Sequence, residues 1–218
     1  MDDLLDELAG LHAALGAAST DLRLIGGLAV RLHVGEEARR TGDIDLVAMT
    51  EEARDALLGT LTARGYLVGT TGQWWRAAPA DGSRRFVDVA SHPVVDVRTF
   101  DRVHLRGTPR QVSVGAARVQ LAAATDLALL KLMACRDQDL VDLLLLAASS
   151  AMDVREIARS AERDDIERRV AGGAVRARHE LARGGLAAAA HQALGRAARD
   201  EELRALTAVL RALEQEGL

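Results

Sequence analysis

Two aspartates lie two positions apart inside an apolar run, in the segment GDIDLVAM at residues 42–49. A buried carboxylate is costly unless it is paired, hydrogen-bonded or bound to a cation, so Asp43 and Asp45 need a partner. On a β-strand, side chains at positions i and i+2 point to the same face. We therefore predict that the two carboxylates converge on one spot while Ile44 and Leu46 face the core.

This spacing suits Mg²⁺ or Mn²⁺, which favour a few carboxylates together with phosphate oxygens and water. Two such ions would stabilise both the attacking and the leaving oxygen of a displacement at phosphorus. A third carboxylate would complete the site. Asp88, in RRFVDVA, is the best candidate because it also lies inside an apolar strand, and Asp96, in PVVDV, is the reserve. The predicted metal ligands are Asp43, Asp45 and Asp88.

A glycine pair precedes the aspartates. Gly26 and Gly27 follow the apolar segment LRLI and open the helix-like run LAVRLHV. Without a Cβ, a phosphate can approach the backbone and meet the free N–H groups at a helix start. Taken alone, a glycine pair is usually only a turn, and two aspartates at this spacing are more often a solvated pair. Their occurrence together favours a nucleotide site.

The chain contains 28 basic residues, of which Lys131 alone is a lysine. Where arginine is otherwise the rule, a single lysine indicates a need for a compact ammonium with three donors. The alternative is a chance lysine at the surface. The formal charge of −4 argues against a protein that coats nucleic acid by bulk electrostatics.

Two further features have both a functional and a structural interpretation. A basic stretch could follow a phosphate backbone or could be a solvated strand edge. Its members are Arg98, Arg102, His104, Arg106 and Arg110. The adjacent rings of Trp74 and Trp75 could stack one ring on a base, or could simply pack a β-hairpin.

The apolar pattern divides the chain into an α/β half and a helical half. The predicted segments are a helix at 1–17, strands at 22–25 and 43–49, a helix at 50–65, strands across 66–121 and helices across 122–218. Thr50, followed by two acidic residues, predicts the start of the second of these helices. We predict two domains, 1–121 and 122–218, the second an all-α bundle.

No apolar run approaches the roughly 20 residues of a membrane helix, and MDDLLDELAG carries acids where a secretory signal carries basic residues. We therefore expect a cytoplasmic protein with no membrane partner. The single cysteine, Cys135, excludes an internal disulfide, and its apolar neighbours predict an inert core residue.

The glycine pair, the motif DIDL about fifteen residues later and a further strand aspartate together resemble the polymerase-β-like nucleotidyltransferase superfamily. Within it, RRTGDIDL followed by KLMACRDQDLVDLLLL is similar to the AbiEii and MenT branch, the nucleotidyltransferase toxins of bacterial toxin–antitoxin pairs. The residues that match this branch are Arg39, Thr41, Asp43, Asp45, Lys131, Arg136, Asp139 and Asp142. The match covers residues 24–147 in pieces.

The resemblance implies an α/β (α+β) core with a mixed sheet, followed by the helical bundle. It also implies metal-dependent transfer of a nucleoside monophosphate from an NTP to an acceptor hydroxyl. The implied nucleotide-binding residues are Gly26, Gly27, Arg39, Thr41 and Lys131. The implied catalytic residues are Asp43, Asp45, Asp88, Lys131 and Asp139. Asp88 would help to deprotonate the acceptor, and Lys131 would neutralise the phosphates.

Two assignments within the resemblance stay open. Asp139 is the preferred acidic partner of Lys131, and Asp142 is the alternative, because the two lie three residues apart and can share a helix face. Thr41 would either be phosphorylated, which would repel the triphosphate, or serve as an ordinary loop threonine that orients its neighbours.

By the same resemblance, the expected acceptor is an RNA end, with the 3′ end of tRNA preferred, and a cognate antitoxin protein is a further partner. One rival hypothesis keeps the chemistry but replaces RNA by a small hydroxyl compound such as an aminoglycoside. A second rival is a non-catalytic binding protein, which would leave the paired aspartates unexplained.

Overall fold

The computed structural model describes residues 3–35, 38–82, 86–149 and 152–218. The chain forms two compact units, one of Met1–Ala29 with Thr41–Ala122 and the other of Val30–Arg40 with Ala123–Leu218. The second unit therefore includes a segment, Val30–Arg40, that the predicted division at residue 122 places in the first domain.

The first unit is an α/β structure. Its helices are α1 (Asp3–Leu15), a 3₁₀ helix (Gly16–Asp21), the start of α2 (Gly26–Val34) and α3 (Glu51–Ala63). Its strands are β1 (Leu22–Ile25), β2 (Asp43–Ala48), β3 (Tyr66–Thr71), β4 (Trp74–Pro79), β5 (Phe86–Ser91), β6 (Val94–Val95), β7 (Arg102–Val103), β8 (Arg110–Val114) and β9 (Ala117–Leu121).

Seven strands form one mixed sheet in the order β3-β4-β5-β2-β1-β9-β8. The strand β2 is parallel to β5 and antiparallel to β1, and β1 is parallel to β9. The helices α1 and α3 pack against the sheet and against each other. The mixed sheet implied by the resemblance is therefore present, and the strands that carry Asp45 and Asp88 are direct neighbours at its centre.

The local sequence accounts for the elements that surround these strands. The hydroxyl oxygen of Thr50 accepts a hydrogen bond from the Ala53 amide at 3.1 Å, and so caps α3 where the sequence predicts a helix start. Ile44 and Leu46 are fully buried, as the strand alternation predicts. Of the strand predicted from RRFVDVAS, Arg84 and Arg85 lie outside the described residues.

The segment between residues 94 and 110 differs from the continuous β pattern that the sequence suggests. Only the two-residue strands β6 and β7 pair there, in a small separate sheet. The cause is Asp96, whose carboxylate accepts hydrogen bonds from the amides of Arg98 and Thr99 and so closes a turn. Asp96 therefore serves this turn and does not join the three aspartates grouped on the main sheet.

The second unit is helical. It contains the end of α2 and the helices α4 (Ala124–Ala134), α5 (Asp137–Ser149), α6 (Val154–Arg163), α7 (Glu167–Ala182), α8 (Gly185–Leu194) and α9 (Asp200–Gln215). The helix α5 is its core, since α4, α8 and α9 all pack on it and every residue from Leu140 to Leu146 is buried. In the described part of the chain, no helix combines the length and the apolar character that crossing a membrane requires.

Candidate active site

The strand register places polar residues in one row across the centre of the sheet. Asp45 on β2 is paired in register with Asp88 on β5, and Asp88 is paired with Arg76 on β4. On the other side of β2, Asp45 is paired with Ile25, the last residue of β1. The row therefore runs from Arg76 through two carboxylates to the turn that begins at Gly26.

Asp43, Asp45 and Asp88 form one carboxylate cluster. Each offers an oxygen, and these oxygens all lie within 4.8 Å of one another. All three side chains are half-buried, so the cluster is open to solvent on one side. Hard oxygen donors at this spacing, partly open to water and phosphate, fit Mg²⁺ or Mn²⁺. The predicted convergence of Asp43 and Asp45 is confirmed in the structure, while their binding of a metal ion stays a prediction.

Gly26 makes room for this cluster. Its φ of +69° lies in the left-handed region, and a Cβ at this position would lie 1.9 Å from the Oδ2 atom of Asp45. A side chain here would displace the carboxylate as well as strain the backbone. Gly26 also begins α2, so the strand, the glycine turn and the helix follow one another as the sequence predicts.

Thr41 contacts the cluster from the loop before β2. Its hydroxyl donates a hydrogen bond to the Oδ1 atom of Asp43 at 2.6 Å. This bond orients Asp43, which matches the structural role that the sequence leaves open for Thr41. Its phosphorylation and its contact with a nucleotide stay predictions.

Arg76 is a contact of the cluster that the sequence interpretation omits. Its Nε donates to Asp88 Oδ1 at 2.7 Å and its Nη2 to Asp88 Oδ2 at 2.5 Å. The hydrogen bond and the charge of Asp88, with smaller effects from Asp43 and Asp45, raise the pKa of Arg76 above its ordinary value. The sequence contains a signal for this contact. Arg76 and Asp88 are equally distant in sequence from Gly82 in the predicted turn PADGS, so a hairpin centred on that turn would pair them.

Lys131 lies in a second cluster of charges, inside the helical unit. The lysine is 5% exposed, and its Nζ lies 3.0 Å from Asp139 Oδ1 and 2.6 Å from Asp142 Oδ2. Both aspartates are fully buried. The preferred and the alternative acidic partner therefore both contact the lysine. The chance surface lysine is excluded, whereas a contact of Lys131 with phosphate stays a prediction.

Two arginines complete this second cluster. Arg39 forms a two-bond pair with Asp142, with N···O distances of 2.8 and 2.9 Å, and Arg136 donates to both oxygens of Asp139. Burial alone would raise the pKa of Asp139, but the hydrogen bonds and charges of Arg136 and Lys131 outweigh it and lower that pKa. Among the described residues, three cations and two carboxylates give the cluster a formal charge of +1.

The two tryptophans and Cys135 make structural contacts in the described residues, while a contact of the basic stretch with a phosphate backbone stays a prediction. The Trp74 indole donates to the Val95 carbonyl at 2.8 Å, and Arg54 lies over the Trp75 ring. Cys135 is buried, and burial raises the pKa of its thiol, as an inert core residue requires. The basic stretch does not follow one strand. Its members are Arg98 in the turn after β6, Arg102 on β7, His104 and Arg106 in the loop that follows, and Arg110 on β8.

Among known proteins, only solved structures are similar to this chain, and the similarity concerns the fold. No protein family and no curated protein matches the chain. Among solved structures, an antigenic nucleotidyltransferase-like protein from Paracoccidioides brasiliensis is 18% identical, with a TM-score of 0.51, and the match covers 88% of this chain and 94% of that one. The antibiotic-resistance factor ANT(2'')-Ia is 15% identical over 83% of this chain and 97% of its own, with a TM-score of 0.49. The first likeness confirms the predicted α/β fold with its mixed sheet and C-terminal helices, and the chain shares this fold with that nucleotidyltransferase-like protein.

Proposed function

We propose that this protein is a metal-dependent nucleotidyltransferase, which moves a nucleoside monophosphate from an NTP to an acceptor hydroxyl. The observation that carries the proposal is the cluster of Asp43, Asp45 and Asp88 on adjacent central strands, next to the glycine turn at Gly26. The fold shared with the nucleotidyltransferase-like protein from Paracoccidioides brasiliensis supports it. A non-catalytic binding protein leaves unexplained why three carboxylates, whose mutual repulsion costs stability, converge on adjacent strands.

Each residue of the cluster has a distinct role in the proposed reaction. Asp43, Asp45 and Asp88 hold Mg²⁺ or Mn²⁺, and Thr41 keeps Asp43 oriented. When bound, the metal neutralises the triphosphate and the departing pyrophosphate. Asp88 accepts the proton of the acceptor hydroxyl as its oxygen bonds to the α-phosphorus and the bond to pyrophosphate breaks. Gly26, with Gly27, leaves the backbone at the start of α2 accessible to phosphate.

The helical unit supports the proposal through the Lys131 cluster. In the described residues the cluster has a formal excess of one positive charge, and its Arg136 side chain is 62% exposed, which suits the neutralisation of phosphate. In this role Lys131 meets phosphate, Asp139 and Asp142 hold its ammonium in place, and Arg39 adds a further cation.

We further propose that the acceptor is an RNA, with the 3′ end of tRNA as the preferred substrate, and that the protein is a growth-inhibiting toxin with a cognate antitoxin. The resemblance of RRTGDIDL and of the Lys131 to Asp142 stretch to the AbiEii and MenT branch supports this choice. An aminoglycoside or similar small molecule is the alternative acceptor, and the experiment below separates the two.

The test compares wild type with Asp45→Asn. Each purified protein is incubated with Mg²⁺, each α-labelled NTP and either total RNA or aminoglycosides, and RNA 3′ ends are then sequenced. We expect the wild type to add untemplated nucleotides to RNA. The asparagine variant should be slower by at least about a hundredfold, since it loses a charged metal ligand. Removal of the metal by EDTA should stop the wild-type reaction.

Asp55→Asn is the matched control. Asp55 is an exposed aspartate of the same unit, on α3, and it contacts Arg54 outside the cluster. This control should react at the wild-type rate. Label on aminoglycosides alone would transfer the proposal to the small-molecule acceptor. Equal labelling by wild type and Asp45→Asn, or no labelling by either, would refute nucleotidyl transfer at this site.

A further inference from the structure

We propose that Arg76 is a built-in counter-ion of the carboxylate cluster, which competes with the divalent cation for Asp88. Arg76 would occupy Asp88 while the cluster is metal-free and release it when the metal binds. The inference rests on the proposed function, because it takes Asp43, Asp45 and Asp88 as the metal site.

The contact between Arg76 and Asp88 follows from the sheet itself. The two residues are paired in register on antiparallel neighbours, β4 and β5, so their side chains leave the same face side by side. The guanidinium uses both oxygens of Asp88, which is the fork geometry that favours arginine over lysine. Metal-free Asp88 is therefore a paired carboxylate.

Three carboxylates whose oxygens lie within 4.8 Å of one another repel each other unless a cation is present. Arg76 supplies one positive charge at the edge of the group. A divalent cation coordinated by Asp88 would stand close to this guanidinium, and two cations repel each other at that distance. Arg76 and the metal are thus alternatives at Asp88.

The surroundings of Arg76 permit its release. Its side chain is 56% exposed, whereas that of Asp88 is 13% exposed, so the arginine reaches the cluster from the solvent side. Its guanidinium also lies 5.3 Å from the centre of the Phe86 ring, which can hold the cation after the contact with Asp88 breaks. The aspartate stays in place while the arginine moves.

The opposite role is that Arg76 positions Asp88 for the metal. The two roles predict opposite changes in metal affinity when the charge of Arg76 is removed. If Arg76 competes with the metal, removal of its charge strengthens metal binding and weakens the metal-free fold. If Arg76 positions Asp88, the same change weakens metal binding.

The test measures Mn²⁺ binding to the full chain by the electron paramagnetic resonance of free Mn²⁺, together with thermal unfolding with and without the ion. For Arg76→Gln we expect Mn²⁺ to bind about tenfold more tightly than to wild type. We also expect a lower Tm without metal and a larger rise in Tm on adding Mn²⁺. Arg76→Lys keeps the charge without the fork and should fall between the two.

Arg54→Gln is the matched control, since Arg54 also pairs with an aspartate in this unit but contacts none of the three carboxylates in the described structure. It should bind Mn²⁺ as wild type does. Unchanged or weaker binding by Arg76→Gln would overturn the inference. If wild type binds Mn²⁺ and Asp45→Asn does not, the metal site stands even when the inference about Arg76 fails. If no protein in the set binds Mn²⁺, both fail.

Discussion

At the scale of single residues, Gly26 determines whether the carboxylate cluster can form. The Oδ2 atom of Asp45 occupies the position next to Gly26 where a Cβ would otherwise be. The positive φ of this residue adds a second requirement, because L side chains are strained in that region. Both requirements point to the same residue type at the turn between β1 and α2.

We predict that Gly26→Ala lowers both stability and metal affinity. The new methyl group would force Asp45 out of place and add backbone strain, so the free energy of unfolding should fall by about 2 to 4 kcal/mol. Mn²⁺ affinity should fall at least about tenfold, since one ligand loses its position. Urea denaturation and Mn²⁺ titration measure the two effects.

Gly59→Ala provides the control for this substitution. Gly59 lies inside α3, and a Cβ there would meet no atom within 4 Å. Alanine should therefore increase stability by about 0.5 to 1 kcal/mol, through helix propensity, and leave Mn²⁺ binding unchanged. If Gly26→Ala behaved like Gly59→Ala, the close approach of Asp45 to the backbone would not matter for the site.

At the scale of elements, local patterns predicted what depends on neighbours in sequence. The i, i+2 spacing of Asp43 and Asp45 and the cap at Thr50 are local, and the structure has both the shared face and the cap. The contact between Arg39 and Asp142 joins residues 103 positions apart. No periodicity or motif spacing encodes such a pair, so it emerges only from the fold.

The region of residues 94–110 shows a different cause of error. Its β-branched and alternating residues suggest strands, but the side chain of Asp96 bonds to the amides of the following turn. Aspartate competes with the strand ladder in this way because its short carboxylate reaches nearby backbone N–H groups. The pairing of Arg76 with Asp88 was missed for a third reason, since it depends on the register of a hairpin.

The helices α4 and α7 show how one glycine permits a close crossing. A Cβ on Gly173 would lie 2.0 Å from the Leu132 carbonyl oxygen, so the two backbones are in direct contact. The thiol of Cys135 also donates to the Gly173 carbonyl at 3.5 Å. Leu132 directly follows Lys131, so the crossing supports the turn of α4 that carries the lysine.

We predict that Gly173→Ala destabilises the helical unit by about 2 to 3 kcal/mol, because the methyl group would push α7 away from α4. Gly172→Ala is the control in the same helix, where a Cβ meets nothing within 4 Å. That change should stabilise the protein by about 0.5 to 1 kcal/mol. Urea denaturation of both variants measures the two changes in the free energy of unfolding. If both substitutions changed it in the same direction, the backbones of α4 and α7 would not be in close contact in solution.

At the scale of the whole molecule, the helical unit is not a continuous stretch of chain. The chain passes between the two units after residues 29, 40 and 122, so Val30–Arg40 completes the unit formed by Ala123–Leu218. Arg39 is the residue through which this segment neutralises a buried charge, because Asp142 is fully buried and pairs with Arg39 as well as with Lys131. A fragment of residues 123–218 would lack that arginine.

We predict that Arg39→Gln lowers the free energy of unfolding by about 3 kcal/mol, because it removes one of the two cations that, among the described residues, pair with the buried Asp142. The adjacent, exposed Arg40 is the control, and Arg40→Gln should change stability by less than about 0.5 kcal/mol. Adding Asp142→Asn to Arg39→Gln should give a coupling above about 1 kcal/mol in a double-mutant cycle. The fragment of residues 123–218 should be less stable than the same helices in the full chain, by circular dichroism and urea denaturation. Equal stability of the two arginine variants would mean that Lys131 alone satisfies Asp142, and the segment Val30–Arg40 would then not be needed for the charge balance of the helical unit.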